Sequence, residues 1–182
     1  MLAGRFVGLG RAQQLSLIVC IIGSILLVGD LVFLILTFRP SLALPHTVVQ
    51  PFFLGMFPIF GWALIVTVFR PRPRDRSFPH RSIGSPEFLS DIPGSVLSVV
   101  LVVAATAAVI FATTPFPTGQ PEYDSATHTY RMIVNGAPQT VDRAQYATVL
   151  DVSDRLFLSA AAIFLSVAVL MTLGHYRASS RS

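Results

Sequence analysis

Four long runs of apolar residues constrain this chain more than any other feature of its sequence. They cover about residues 15–38, 48–69, 96–113 and 156–174. A helix needs about 20 mostly apolar residues to cross the hydrocarbon core, and backbone polar groups in lipid must be satisfied within the chain. Only 12% of the residues are charged, against about 25% in a typical soluble domain. The sequence therefore predicts an all-α membrane protein with four transmembrane helices.

The distribution of arginine predicts how these helices are oriented. The chain has no lysine, and nine of its arginines lie in segments that share one side of a four-span topology: 1–14, 70–95 and 175–182. The other side, formed by segments 39–47 and 114–155, receives Arg39, Arg131, Arg143 and Arg155. Arginine-rich segments stay in the cytoplasm. We therefore expect both termini to be cytoplasmic, in a protein that crosses the plasma (inner) membrane.

Small residues recur at helical spacing on three of the predicted spans. On the first span, a stripe with alternating steps of four and three comprises Ser16, Cys20, Gly23, Leu27, Asp30, Leu34 and Thr37. The third span carries Ala104, Ala108 and Ala112, and the fourth carries Ser159, Ala162 and Ser166. Small residues let helices approach closely in lipid. We expect these three faces to meet within one four-helix bundle; a ligand channel along them is the alternative.

Asp30 is the one ionisable residue well inside a predicted span. A carboxylate there is costly, and such a residue is a functional-site hypothesis by default. One interpretation is structural, with protonation or hydrogen bonds from Thr106, Ser159 or Arg155. The other is proton or ion handling. In the second span, Pro58 predicts a local kink, which is either a packing bend or a hinge.

The segment before the fourth span has the pattern of a small folded unit. Residues 129–134 alternate in polarity, and Asn135-Gly136 is a strong hairpin turn signal. Residues 139–141 form the predicted returning strand, and Asp142 is a predicted N-cap of a juxtamembrane helix. A two-stranded hairpin is marginal by itself in water, so it needs a surface to lie on. That surface is the outer ends of the helices, the lipid headgroups or another subunit, and the residues predicted to contact it are Tyr130, Met132 and Tyr146.

The run Tyr130-Arg-Met-Ile-Val-Asn-Gly136, followed by Thr140-Val-Asp-Arg-Ala-Gln-Tyr146, resembles a segment of small four-span membrane proteins of high-GC, actinobacterial-like bacteria. In those proteins a short extracytoplasmic hairpin precedes a helix and a final membrane span. The resemblance covers about the last third of the chain. It implies a bacterial plasma-membrane protein and assigns no catalytic residue.

No pattern of catalytic, metal-binding or cofactor-binding residues accompanies the spans. The four histidines are scattered over several segments, and the phosphate-binding, nucleophile-elbow and dinucleotide motifs are absent from the sequence. The basic charge lacks the aromatic or glycine pattern of a nucleic-acid module. We expect no enzyme activity, no cofactor and no nucleic-acid partner. The arginines in the second inter-helix segment are a topology signal, or a site for lipid or a partner: Arg70, Arg72, Arg74 and Arg76.

Three functions remain open at this point. The first is a non-enzymatic accessory or assembly subunit of a larger membrane complex, in contact with lipids and other membrane subunits. The second is a small transporter or ion-coupled protein that uses Asp30. The third is a sensor whose extracytoplasmic hairpin binds a ligand.

Overall fold

The computed structural model describes residues 10–39, 46–68 and 92–179. Its helices are α1 (Arg11–Leu36), α2 (His46–Val68), α3 (Gly94–Thr113) and α4 (Arg143–Ser179), and its strands are β1 (Gln120–Asp124), β2 (Thr129–Val134) and β3 (Ala137–Thr140). Each of the four helices is long and apolar enough to cross a membrane. The predicted spans are therefore all helical, as a multi-pass membrane protein requires.

Helix α4 is the centre of the helical part. It packs along each of the other three helices, α1 and α2 also touch each other, and α3 packs mainly against α4. In its apolar span, 61% of the residues are buried, against 28% in α1, 22% in α2 and 11% in α3. The buried residues of α4 are mostly small, including Ala161, Ala162 and Ala168. Because small side chains allow close approach, one helix can contact three neighbours.

Helices α1 and α4 run in opposite directions. A Cβ added at Gly23 would lie 3.3 Å from Val169, and Arg155 donates a hydrogen bond to the carbonyl of Thr37. The residue numbers rise along α1 while they fall along α4. The start of α1 and the end of α4 therefore lie together at what we call the far end. We call the opposite end, beside Thr37 and Arg155, the sheet end.

The predicted juxtamembrane helix is the first part of α4, which continues without a break into the fourth span. Asp142 accepts a hydrogen bond of 2.7 Å from the backbone N–H of Gln145, which confirms the predicted N-cap. At 1.5 Å per residue, the 37 residues of α4 extend about 55 Å, well beyond a hydrocarbon core of about 30 Å. The helix is therefore long enough to cross a bilayer and also to support the sheet.

The three strands form an antiparallel sheet in the order β1-β2-β3. Asn135 and Gly136 have φ values of 53° and 81°, which fit the two-residue hairpin turn that the sequence predicts. Strand β1 was not expected, because its segment carries prolines and acidic residues and looks irregular. It pairs with β2 from Gln120 opposite Ile133 to Asp124 opposite Thr129. The third strand gives the hairpin the support that two strands lack.

Asp124 organises the turn between β1 and β2. Its carboxylate accepts hydrogen bonds from the backbone N–H groups of Ala126 and Thr127 and from the Thr127 hydroxyl, and it lies 3.0 Å from the Arg131 guanidinium. These hydrogen bonds, the Thr127 hydroxyl first, lower the pKa of Asp124. The negative charge therefore stabilises the folded turn.

The sheet should lose stability in acid because of Asp124. A carboxyl with a lowered pKa in the folded state contributes stability above its unfolded pKa of about 3.9, and this contribution disappears as the pH falls through the folded value. Thermal unfolding between pH 3 and pH 7, followed by the near-ultraviolet circular dichroism of the tyrosines, should show this loss. In Asp124→Asn, the melting temperature should change less with pH over this range. An identical profile in the variant would contradict the assignment.

Candidate functional site

The candidate site is built around Asp30 in the middle of α1. Gly23 lies seven residues before Asp30 and Thr37 seven residues after it, on the same face of the helix. Their partners on α4 are Val169 and Arg155, so Asp30 is level with position 162, halfway between them. The Asp30 side chain is 0% exposed. All seven residues of the predicted stripe on α1 are buried.

The two carboxyl oxygens of Asp30 have no hydrogen-bond partner among the described residues. The three predicted donors do not supply one. Thr106 is exposed on α3, and the Ser159 hydroxyl donates to the carbonyls of Arg155 and Leu156 at 2.7 and 3.1 Å. A serine within a helix commonly donates to the carbonyl one turn earlier, so its presence nearby does not make it a partner.

Arg155, the third predicted donor, lies at the sheet end and turns away from Asp30. Its Nη2 donates to the Thr37 carbonyl at 2.8 Å, its Nε lies 3.4 Å from the Thr37 hydroxyl, and its guanidinium sits 4.2 Å from the centre of the Phe38 ring. A cation at the carboxyl end of a helix interacts favourably with the helix dipole and satisfies a terminal carbonyl. Arg155 therefore holds the C-terminal end of α1 against α4.

Arg155→Ala should loosen the sheet end of α1. We expect a loss of about 1.5–3 kcal/mol in the free energy of unfolding, since a charged hydrogen bond and a cation–ring contact disappear. Arg155→Lys should recover part of it, because an ammonium group can reach one acceptor but cannot reproduce the planar contacts. Amide hydrogen exchange of α1 measures the effect: residues 33–37 should exchange faster and residues 16–20 should not. Uniform acceleration along α1 would contradict a local role.

Further polar atoms are buried between Asp30 and the far end. Within the described part of the chain, the Ser16 hydroxyl, the Trp62 indole N–H and the Ser166 hydroxyl have no hydrogen-bond partner. His175, also near the far end, is 9% exposed. We call Ser16, Asp30, Trp62, Ser166 and His175 the polar seam. The predicted packing residue Ser166 and the stripe residue Ser16 thus belong to the site, whereas Trp62 became a candidate only through the burial of its indole nitrogen.

Hydroxyl groups at the sheet end are satisfied, in contrast to those of the seam. Ser153 donates to the Val149 carbonyl, Ser159 to Arg155 and Leu156, and Thr37 to Leu34. Among the described residues, the buried side-chain atoms without a partner therefore lie at the level of Asp30 or on its far-end side. The site is asymmetric along the bundle axis.

The predicted alanine ladder on α3 does not form the contact with α4. Ala104 is partly buried, but Ala108 and Ala112 are exposed. The buried residues of α3 are Val100 and Ala107, which lie two turns apart on a different face. The reason is that α3 carries small residues on two faces, and Ala107, not Ala108 or Ala112, lies in the buried cluster with the alanines of α4. Gly23 on α1, by contrast, lies at a close approach to both α2 and α4.

The predicted contacts of the hairpin come together above the helices. The Tyr130 and Tyr146 rings lie 5.0 Å apart between centroids, and Met132 is 8% exposed. Tyr123, which the sequence analysis missed together with strand β1, extends this aromatic row with a ring 5.2 Å from Tyr130. Burial raises the pKa of Tyr146. The aromatic row attaches the sheet to the start of α4.

The remaining predicted site residues lie elsewhere. Pro58 is exposed within α2, which is helical from His46 to Val68. Pro51 is the sixth residue of this helix and removes one internal hydrogen bond. The arginines of the second inter-helix segment lie outside the described residues: Arg70, Arg72, Arg74 and Arg76.

Metal chemistry and known relatives give no further assignment. The described residues contain no group of three or more His, Cys, Asp or Glu side chains that could hold a metal ion. Comparison with known proteins finds no matching family model, no matching curated protein and no matching solved structure. The arguments for function therefore come from the geometry of the chain itself.

Proposed function

We propose that this protein is a non-enzymatic accessory or assembly subunit of a larger membrane complex. The observation that supports this proposal is a second stripe on α3, with steps of four and three residues, that faces away from α4. It comprises Gly94, Ser98, Leu101, Ala105, Ala108 and Ala112, and all six are exposed. The same spacing on α1 marks the face that is buried within the chain.

The side chains of α3 divide into small and large sectors. Exposed valines border this stripe on one side, namely Val99, Val102 and Val109, and Leu101 is the one bulky residue within it. Lipid covers an apolar face of any side-chain size, so exposure alone does not require a protein. Helices in lipid associate through small residues that permit close backbone contact. A stripe of small residues on the least covered helix thus favours another membrane helix as its neighbour.

Site-specific cross-linking in native membranes tests this proposal. A photoreactive amino acid at Ala108 should give one discrete protein adduct, and the same group at Val102 should give only lipid adducts. Ala105→Leu with Ala108→Leu should dissociate the adduct partner in mild detergent, while Val102→Leu with Val109→Leu should not. A monodisperse single chain with no adduct at Ala108 would contradict the proposal.

A second candidate function is a small transporter or ion-coupled membrane protein. The burial of Asp30 without a partner among the described residues favours it, because ionisable groups inside membranes often mark ion pathways. Asp30→Asn should then abolish the flux of the transported ion or solute into proteoliposomes, while the helices remain folded. An unchanged flux in this variant would remove the candidate.

A further inference from the structure

We propose that Asp30 is a proton-binding site that exchanges protons with the far end of the helical bundle, through water held along the polar seam, and not with the sheet end. This inference stands independently of the accessory-subunit proposal. It concerns the state and accessibility of one carboxyl group, whichever function the chain performs.

The first step concerns the charge of Asp30. On α1, its neighbours one turn away on the same face are Leu27 and Leu34, which are both buried. Opposite it, around position 162 of α4, lie Ala161 and Ala162. An ionised carboxylate in such surroundings is strongly destabilised, and the group takes a proton unless a cation is near.

The second step is that no cation faces the carboxyl from the packed helices. On α2, residues 48–67 contain no titratable side chain, and neither do residues 94–113 of α3. On α4 no titratable side chain lies between residues 156 and 174; Asp154 and Arg155 precede this stretch, and His175, Tyr176 and Arg177 follow it. Arg155 is engaged with Thr37, and His175 is thirteen residues from position 162, about 20 Å along the helix. Asp30 therefore carries a proton.

The third step is the one-sided arrangement of the other polar atoms. The contacts of Gly23 with Ile59 and Val169 set the register of α1 against α2 and α4. In this register, Ser166 lies about one turn of α1 from Asp30, towards the far end. Trp62 is level with Cys20, and Ser16 is one turn further along. Measured along the helix axis alone, these steps are about 6, 9 and 6 Å. Buried polar groups normally bind protein or water, so the proposal places water molecules between them.

Among the described residues, the sheet end has no comparable row of buried polar atoms without a hydrogen-bond partner. Its hydroxyl groups donate to carbonyls of their own helix, and Arg155 is held by Thr37 and Phe38. A donor that is already satisfied does not recruit water in the way that an unsatisfied one does. Access to Asp30 is therefore expected from the far end alone.

An apolar carbodiimide tests both parts of the proposal. It dissolves in the lipid and reacts only with the protonated acid. The carboxyl oxygen bonds to the carbodiimide carbon, the proton moves to nitrogen, and migration of the acyl group to nitrogen leaves a stable N-acylurea. The protein is placed in vesicles sorted into one orientation by a terminal tag, with independent buffers inside and outside. Labelling is quantified by mass spectrometry of the α1 peptide.

We expect α1 labelling to disappear in Asp30→Asn. In the unsubstituted protein it should fall by about tenfold per pH unit once the far-end buffer is alkaline enough to deprotonate the acid. It should not change with the buffer at the sheet end. Ser166→Val should slow the response to a pH jump at the far end, whereas the matched variant Ser159→Val, on the other side of Asp30, should not.

Several outcomes would overturn the proposal. They are labelling of α1 that persists in Asp30→Asn, labelling that follows the sheet-end buffer, labelling that ignores both buffers, and no labelling even when both buffers are acidic. Infrared difference spectra between the unsubstituted protein and Asp30→Asn give a second measurement. The carbonyl band of the protonated acid must respond to far-end pH alone.

Discussion

Gly23→Leu is expected to separate α1 from both α2 and α4 and to lower the free energy of unfolding by about 3 kcal/mol or more. Even a Cβ atom at this position would lie 3.3 Å from Ile59 on one side and 3.3 Å from Val169 on the other. Three more carbons have no space without moving a helix, and overpacking of this kind typically costs about 1–3 kcal/mol when only side chains move. Steric trapping in bicelles measures the change.

The matched control is Gly61→Leu in α2. A Cβ there meets no atom within 4 Å, so the same substitution adds the same side chain without a collision. Its free energy of unfolding should stay within about 0.5 kcal/mol of the unsubstituted protein. Equal losses in the two variants would show that any leucine in place of a helical glycine is harmful, and the close approach at Gly23 would then lose its significance.

Asp30→Leu is expected to stabilise the protein by about 1–3 kcal/mol, which is unusual for a change at a fully buried position. Leucine has the same branching as aspartate, and it replaces two oxygens that have no partner among the described residues by two methyl groups. The stripe on α1 would then be apolar from Leu27 to Leu34. Thermal unfolding in detergent should show a higher midpoint.

Asp151→Leu is the control for this second prediction. Asp151 lies on α4 and is only partly buried, so removal of its charge should change stability by no more than about 0.5 kcal/mol. A loss of stability in Asp30→Leu would indicate that the carboxyl makes a strong interaction in the folded protein. That result would point to an ion or a partner group bound at Asp30.

The sequence predicts the elements well where a single physical requirement determines them. Twenty apolar residues in lipid form a helix because their backbone polar groups must be satisfied within the segment. The dipeptide Asn135-Gly136 strongly favours a two-residue hairpin turn. The buried stripe on α1 follows from the spacing of Ser16, Gly23 and Asp30. In each of these cases the local pattern and the final environment agree.

The errors concern choices between equivalent surfaces. On α3, two faces carry small residues, and only the shape of α4 decides that Ala107, rather than Ala108 or Ala112, is buried. The partners expected for Asp30 failed for a similar reason, since the hydroxyl of Ser159 has a carbonyl of its own helix within reach. Strand β1 depends on pairing with β2, which its own proline-containing sequence does not reveal.

The position of α4 also has a consequence for biosynthesis. This helix makes most of the contacts between helices, yet the ribosome synthesises it after the other three. Until it emerges, α1 and α2 can hold each other only weakly and α3 has almost no neighbour from its own chain. In a bilayer, the first three helices would therefore stay loosely associated until α4 is added, and most of the tertiary contacts would form in that one late step.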